Sequence, residues 1–432
     1  MMFPLQRCCL LLFALFVAAR AEAQLAVEVT RGSTQAIPVA VVPFADTALA
    51  GGTDPAAVVA ADLDRSGRFR TLPRAELLEQ PSTAAQVDAA HWRLLKVDYV
   101  VVGRLRAAGA GFDIEFELVN VLTGERLLGL AIPATPAQAR MASHRVADAV
   151  HERILGLRGA FATRIAYVAV EGRAPQRTFR LVVADADGEN PRVVAQSQQP
   201  IMSPAWSPDA LRLAYVSFES GASSIYVQIL RTGERVRVSA RSGINGAPAW
   251  SPDGSRLALT LSRRDGNVDI WMLTLATQEL QRLTDDDAIE TEPQWSADGR
   301  SIYFTSDRAG GPQIYRMAAE PGAAVQRVTY ENAYNARARL APDGRLLAIT
   351  TLDRGAYRIG TVDPERGTLR VLTDGRLDES PSFAPNGATI IYATREGARG
   401  VLATVSVDGG VQQRLRAVGA DIREPVWSPY LR

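Results

Sequence analysis

A motif that returns six times governs everything this chain can fold into. The copies are Pro204-Ala-Trp206-Ser-Pro-Asp209, Pro248-Ala-Trp250-Ser-Pro-Asp-Gly254, Pro293-Gln-Trp295-Ser-Ala-Asp-Gly299, Ala338-Arg-Leu340-Ala-Pro-Asp-Gly344, Pro381-Ser-Phe383-Ala-Pro-Asn-Gly387 and Pro425-Val-Trp427-Ser-Pro429. Their anchors at 206, 250, 295, 340, 383 and 427 are spaced by 44, 45, 45, 43 and 44 residues. That period belongs to β-propeller blades of four strands. After each anchor except the last come runs such as Arg212–Val216, Ile225–Val227 and Gln281–Thr284, whose apolar alternation suits half-buried strands. Asp-Gly and Asn-Gly pairs at 253–254, 298–299, 343–344 and 386–387 supply the positive φ that tight hairpins need. Pro ahead of the anchor suits the first residue of a channel-edge strand, where no ladder N–H is required.

The two ends of the array are complementary. Arg164-Ile-Ala-Tyr-Val168 matches the strand that follows each anchor, yet no anchor precedes it. The sixth anchor, Trp427-Ser-Pro429, has no strands behind it. The last segment therefore supplies the innermost strand of the first blade, whose other strands fall between about 164 and 197, and no sheet edge stays open. An open solenoid is the alternative architecture, and the split first repeat argues against it. The departure at Ala338-Arg-Leu340 predicts a less regular blade without loss of a site.

Residues 24–158 lack the repeat. Ile37–Phe44 reads as a buried strand. A helix is expected from Pro55, capped by Asp54, to about Ser66, and a second from Thr83 to Leu95. Strands follow at Val97–Gly103, Phe112–Val119 and Arg126–Ile132, and Pro136 opens a helix ending near Leu155. The fold class is thus an N-terminal α/β domain, 24–158, with a mixed sheet of about five strands, followed by an all-β six-bladed β-propeller, 159–432, closed by its C-terminal strand. Residues 24–36 are an edge strand or a mobile tail.

The first 23 residues stand outside the fold. Arg7, the apolar run Cys8–Ala19 and Ala21-Glu22-Ala23 form a secretory signal, with cleavage expected before Gln24. Cys8 and Cys9 are the only cysteines, so the mature chain is expected to have no disulfide, thiol nucleophile or thiolate metal ligand. Removal of Arg7, Arg20 and Glu22 brings 48 basic and 47 acidic residues to 46 of each. This neutral balance offers no electrostatic case for nucleic acid or an anionic membrane surface. No later apolar stretch is long enough to span a bilayer.

Chemistry is hard to place on this chain. Its three histidines, His91, His144 and His151, all precede the propeller, which therefore lacks an imidazole base or a His zinc site. His144 and His151, one heptad apart on the last expected helix, read as solvated helix residues. Asp285-Asp-Asp287 reads as a polar loop between blades. There is no Gly-x-Ser-x-Gly elbow, P-loop or dinucleotide fingerprint. No catalytic residue, cofactor or metal is expected. The remaining surface is geometric: the three residues before each Pro, or its equivalent, should ring one mouth of the channel. They are Ile201-Met-Ser203, Asn245-Gly-Ala247, Glu290-Thr-Glu292, Asn335-Ala-Arg337, Asp378-Glu-Ser380 and Ile422-Arg-Glu424. Such a mixed polar ring suits a protein segment reaching into the channel.

The repeats, together with Ala160–Val168, Met202–Pro208, Thr291-Glu-Pro293, Val41–Phe44, Val59–Leu63, Ser66-Gly67 and Val100–Gly103, resemble the TolB family, the periplasmic component of the Tol–Pal system. The likeness runs from the leader to Trp427-Ser-Pro-Tyr430. It implies a periplasmic, non-catalytic scaffold, monomeric within a multi-protein complex and not itself inserted in the membrane. It also implies binding of the peptidoglycan-associated lipoprotein Pal at the propeller mouth. By position the Pal-facing set is Asn245, Gly246, Glu290, Thr291, Glu292, Asn335 and Glu379, completed by Ser203, Arg337, Ser380, Arg423 and Glu424. The mature N-terminal segment, Gln24, Leu25, Ala26, Val27, Glu28, Val29, Thr30, Arg31 and Gly32, would engage the inner-membrane protein TolA, its docking coupled to Pal release. The implied roles are outer-membrane integrity and constriction at division. A secreted propeller enzyme, a polysaccharide lyase or peptidase-like hydrolase, is the alternative, disfavoured by the histidine census and the missing elbow.

Overall fold

The computed structural model describes residues 25–31, 36–173, 175–417 and 420–431. The expected signal segment, Gln24 and Gly32 lie outside those residues. The N-terminal α/β region is built on a five-stranded mixed sheet in the order Phe69–Thr71, Ile37–Val41, Tyr99–Ala108, Gly111–Asn120, Arg126–Ala134. The first three strands run parallel and the last two add antiparallel. Strand alternation sends Val39, Val41 and Val101 to one face, where α1 (Pro55–Arg65) and α3 (Ala139–Leu155) cover them. Ala40, Val42, Val100 and Val102 go to the other, around the wholly buried Trp92 of α2 (Ala89–Leu94). Burial on both faces accounts for the near-continuous valine runs.

The helix starts are written in the side chains. Asp54 accepts a hydrogen bond from the Ala57 N–H at 3.0 Å, with Pro55 at the first helical position. The single helix expected over 83–95 is two pieces, a 3₁₀ turn Ala84–Gln86 and α2. The Gln86 side-chain amide oxygen (Oε1) accepts from the Ser82 and Thr83 N–H groups, and Val87 leaves the helical region. Asp88 then caps a new helix through the Ala90 N–H. The short strand Phe69–Thr71 is an element the sequence reading did not include.

Six blades follow, and the ring closes as the repeat requires. Blade 1 consists of Asp421–Trp427, Arg164–Glu171, Thr178–Asp185 and Arg192–Ser197, in that order outward. Trp427 pairs with Ile165, the Ser428 N–H donates to the Arg164 carbonyl at 2.8 Å, and the Trp427 indole N–H donates to Thr163 Oγ1 at 2.8 Å. Blades 2 to 6 begin with the inner strands Ile201–Trp206, Asn245–Trp250, Glu290–Trp295, Asn335–Leu340 and Glu379–Phe383. Blade 6 carries a fifth, outermost strand: Leu25–Arg31 runs antiparallel along Gln412–Ala417. The N-terminal segment is therefore an edge strand, and the edge it extends is the propeller's own.

The anchors join blade to blade. Trp206, Trp250 and Trp295 each donate their indole N–H to a backbone carbonyl of the preceding blade, Val426 at 3.2 Å, Ala205 at 3.1 Å and Ala249 at 3.1 Å. Arg212 and Arg256 lie over Trp250 and Trp295, 4.5 and 5.0 Å from the ring centroids. The Ser-x-Asp that follows ties the turn: Ser251 Oγ donates to Asp253 at 2.5 Å and accepts from the Arg256 N–H at 2.9 Å. Blade 5, where Leu340 replaces Trp, is as regular as its neighbours, correcting the expectation. Its four strands and inner-strand register are the same, because the backbone ladder, rather than the indole bond, sets the blade.

Candidate functional site

In blades 1 to 5 the three residues before the Pro or its equivalent do not lead into the inner strand but are its first half, and in blade 6 only Asp378 precedes the strand. In all six blades the register shifts around the Pro or its equivalent. A bulge accommodates a proline inside a sheet, which explains why Pro sits at mid-strand instead of at its start. The residue before it has positive φ in every blade: Ser203 (51°), Ala247 (43°), Glu292 (57°), Arg337 (57°), Ser380 (57°) and Glu424 (48°). None is glycine, so each costs on the order of 1–3 kcal/mol of backbone strain. Six such residues at one level of the channel form a ring of turned-out N–H groups. The Glu424 carboxylate accepts from the Ser203 N–H at 2.6 Å, and that of Glu292 accepts from the Arg337 N–H at 2.9 Å.

The ring sorts the expected site residues into three layers. Those three before the Pro, Asn245, Glu290 and Asn335, are buried and committed inside the protein. Asn245 accepts from Ser239 Oγ at 2.6 Å and donates to the Arg241 carbonyl at 2.7 Å. Glu290 is paired with Arg308, and burial raises its pKa despite that partner. Asn335 donates to Gln313 at 2.9 Å and to the Glu331 carbonyl at 2.6 Å. The next layer, Gly246, Thr291, Glu379 and Arg423, is half-buried at the mouth, with Arg423 held by Asp421. The last, Ser203, Glu292, Arg337, Ser380 and Glu424, converges in the channel. Arg337 Nε donates to Glu292 at 2.6 Å, its Nη1 bonds Ser380 Oγ, and its Nη2 lies 3.8 Å from Glu424. Burial alone would weaken Arg337's hold on its proton, but Glu292 and Glu424 outweigh it and raise the pKa.

The rim adds two residues that sequence reasoning missed. Ile244 and Ile289, directly before Asn245 and Glu290, are 49% and 54% exposed, an unusual place for isoleucine on a polar loop. A β-branched apolar residue between Gly243 and Asn245, where a strand has not yet begun, was the available signal.

The α/β region packs against the opposite face. Arg68 pairs with Asp408, and Asn386 donates to the Arg158 carbonyl at 3.1 Å. At the centre of this junction His144 and His151 are buried, 0% and 6% exposed, not solvated as expected. The face of α3 that carries both is the one packed inward. His144 Nδ1 lies 2.6 Å from Asp62 and Nε2 lies 3.7 Å from Asp187 of blade 1. Donor atoms of Asp62, His144 and Asp187 fall within 4.8 Å of one another, the spacing of a metal site. Arg65 and Arg140 bond the same two carboxylates, so the group is built as an ion-pair network. The Asp285–Asp287 loop is open, with Asp285 and Asp287 80% and 106% exposed and facing Arg263 and Arg282.

Both halves of this architecture have relatives. Residues 151–431 match the TolB beta propeller domain and residues 25–127 the TolB amino-terminal domain. The Tol-Pal system protein TolB of Xanthomonas oryzae pv. oryzae (strain MAFF 311018) is 50% identical over 411 residues, covering 94% of this chain and 93% of that protein. The chain belongs to the TolB family. The counterpart in Xanthomonas campestris pv. campestris (strain B100) is 49% identical over 411 residues, covering 94% of this chain and 93% of that protein. The crystal structure of TolB from Acinetobacter baumannii matches with a TM-score of 0.87 at 39% identity, covering 94% of this chain and 100% of that one. Membership of the Tol-Pal system follows at the level of the family. Among the described residues no helix is long and apolar enough to cross a membrane.

Proposed function

We propose that this chain is a non-catalytic periplasmic scaffold that binds the Pal lipoprotein at the polar propeller mouth and TolA through residues 24–32. In this role it would support outer-membrane integrity and constriction at cell division. The observation that carries the reading is the ring of six left-handed residues at a mouth that the α/β region leaves uncovered. Strained, non-glycine backbone repeated at one level fits a recognition surface, where strain holds polar groups in place before the partner arrives. Ile244 and Ile289 at the rim supply apolar contact around that polar centre. The Leu25–Arg31 strand fits the TolA role, because it is held along one edge only and its backbone can pair with another strand instead.

The test has two arms. Titration of the full mature chain with a periplasmic Pal domain should give saturable binding that E379K weakens at least tenfold with an unchanged melting temperature. Removal of residues 24–32 should abolish TolA binding while the propeller unfolds as before. A chain that retains neither partner, or that turns over an envelope polymer, overturns the scaffold reading.

A further inference from the structure

Two residues below the left-handed ring, the channel changes character. The position between Pro and the anchor is occupied, around the ring from blade 1, by Val426, Ala205, Ala249, Gln294, Arg339 and Ser382. All six line a cavity of about 500 Å³ at the mouth that faces the α/β region. The ring is split: blades 1 to 3 contribute only small apolar groups, and blades 4 to 6 contribute an amide, a guanidinium and a hydroxyl. Trp206, Trp250, Trp295 and Trp427, with the prolines of the following turns, form the apolar walls.

Among the described residues Arg339 is the cavity's only charged lining residue. Arg337, two residues earlier, is satisfied by Glu292, Ser380 and Glu424. Among the described residues no carboxylate pairs with Arg339, whose Nη1 donates to the carbonyl of its own neighbour, Ala338, at 2.9 Å. Burial, and then the charge of Arg337 above it, brings its pKa down to about 10. Glu292 and Glu424 attract Arg339 from the layer above but do not pair with it. Enclosing a guanidinium without a directly paired carboxylate is unfavourable, and an anion supplied from the open side would offset that cost. Beside it Ser382 Oγ accepts from the Trp427 N–H at 3.0 Å, which leaves its own proton for another acceptor.

We propose that this cavity binds a small organic carboxylate with an apolar body. The carboxylate would sit on Arg339, with a hydrogen bond from Ser382, and the body would lie against Val426, Ala205 and Ala249 between the indoles. The volume is in the range of small-molecule sites, roughly 300–1,000 Å³. Arginine's planar fork favours the bidentate geometry of a carboxylate. The site is independent of the Pal and TolA reading, since it lies at the other mouth.

Four of the chain's six tryptophans wall the cavity, so indole fluorescence of the full mature protein reports occupancy. Titration with 4-phenylbutyrate should give a saturable change, and its uncharged amide should bind at least tenfold more weakly. R339Q should lose that discrimination while R339K keeps part of it, with circular dichroism and melting temperature confirming that both fold. Equal binding of acid and amide, or equal binding to wild type and R339Q, overturns the proposal. Displacement of the probe by chloride alone at millimolar concentration also overturns it, as the mark of a general anion site.

Discussion

His144 is wholly enclosed at the junction of α1, α3 and blade 1, where a neutral imidazole would be the ordinary form. Burial does oppose its charge, but Asp62 against Nδ1 and Asp187 near Nε2 outweigh it and raise the pKa, with Arg65 opposing them. A group whose folded pKa is raised contributes stability below its unfolded value, near 6.5, and loses it as pH rises through the folded value. Asp148, buried one turn further along α3 and accepting the Phe161 and Ala162 N–H groups, has its pKa raised to about 6 by burial. It has the same sign in a lower window: its contribution falls between about pH 4 and 6. Asp187 has the opposite sign, because Arg65, His144 and Arg140 overcome its burial and lower its pKa. Its contribution is therefore present above its unfolded value and fails in acid. Melting temperature measured against pH should thus decline from about pH 6.5 upward. H144Q should flatten that decline and cost about 3 kcal/mol at pH 6, as expected for removing one partner of a buried pair. A pH profile unchanged by H144Q would show that the ring stays neutral.

At the scale of single elements, the inter-blade indole bonds show which parts of the motif are structural. Trp250 fills the seam between blades 2 and 3, and its indole N–H satisfies the Ala205 carbonyl. W250F keeps an aromatic ring in the seam and removes that bond. It should cost about 1–2 kcal/mol, with W250A costing about 3–5 through the cavity it leaves. Thermal unfolding separates the two, and equal losses would mean that the hydrogen bond matters and the ring's volume does not. This layer was legible in the sequence, since spacing alone placed six anchors and their turns. The bulge was not, because a positive φ at Glu292 or Arg337 has no glycine to announce it. Nor was the split of the 83–95 helix, decided by a competition between Gln86 and the backbone for two N–H groups. The burial of His144 depended on Asp187, more than forty residues away in blade 1, a contact no local pattern encodes.

For the whole molecule, the determining feature is that a ring must be closed by a strand from its far end. Blade 1 has no inner strand until residues 421–427 arrive, so the first blade to leave synthesis is the last that can be completed. Its neighbours depend on it as well: the Trp206 indole donates to Val426 and the Glu424 carboxylate caps the Ser203 N–H. A chain ending at Ala420 therefore loses one strand of blade 1, one seam on each side and the open side of the Arg337 network. An open array of blades would tolerate such a loss with a proportionate fall in stability, because each repeat contacts only its neighbours. A closed ring should not. The truncated chain is expected to lose its single cooperative transition and to expose the edge of Arg164–Glu171, which invites aggregation. Adding the peptide 421–432 in trans should restore part of the transition, in proportion to its concentration. Retention of a sharp transition by the truncated chain, without peptide, would mean that the remaining blades form a stable solenoid and that the C-terminal strand only trims it.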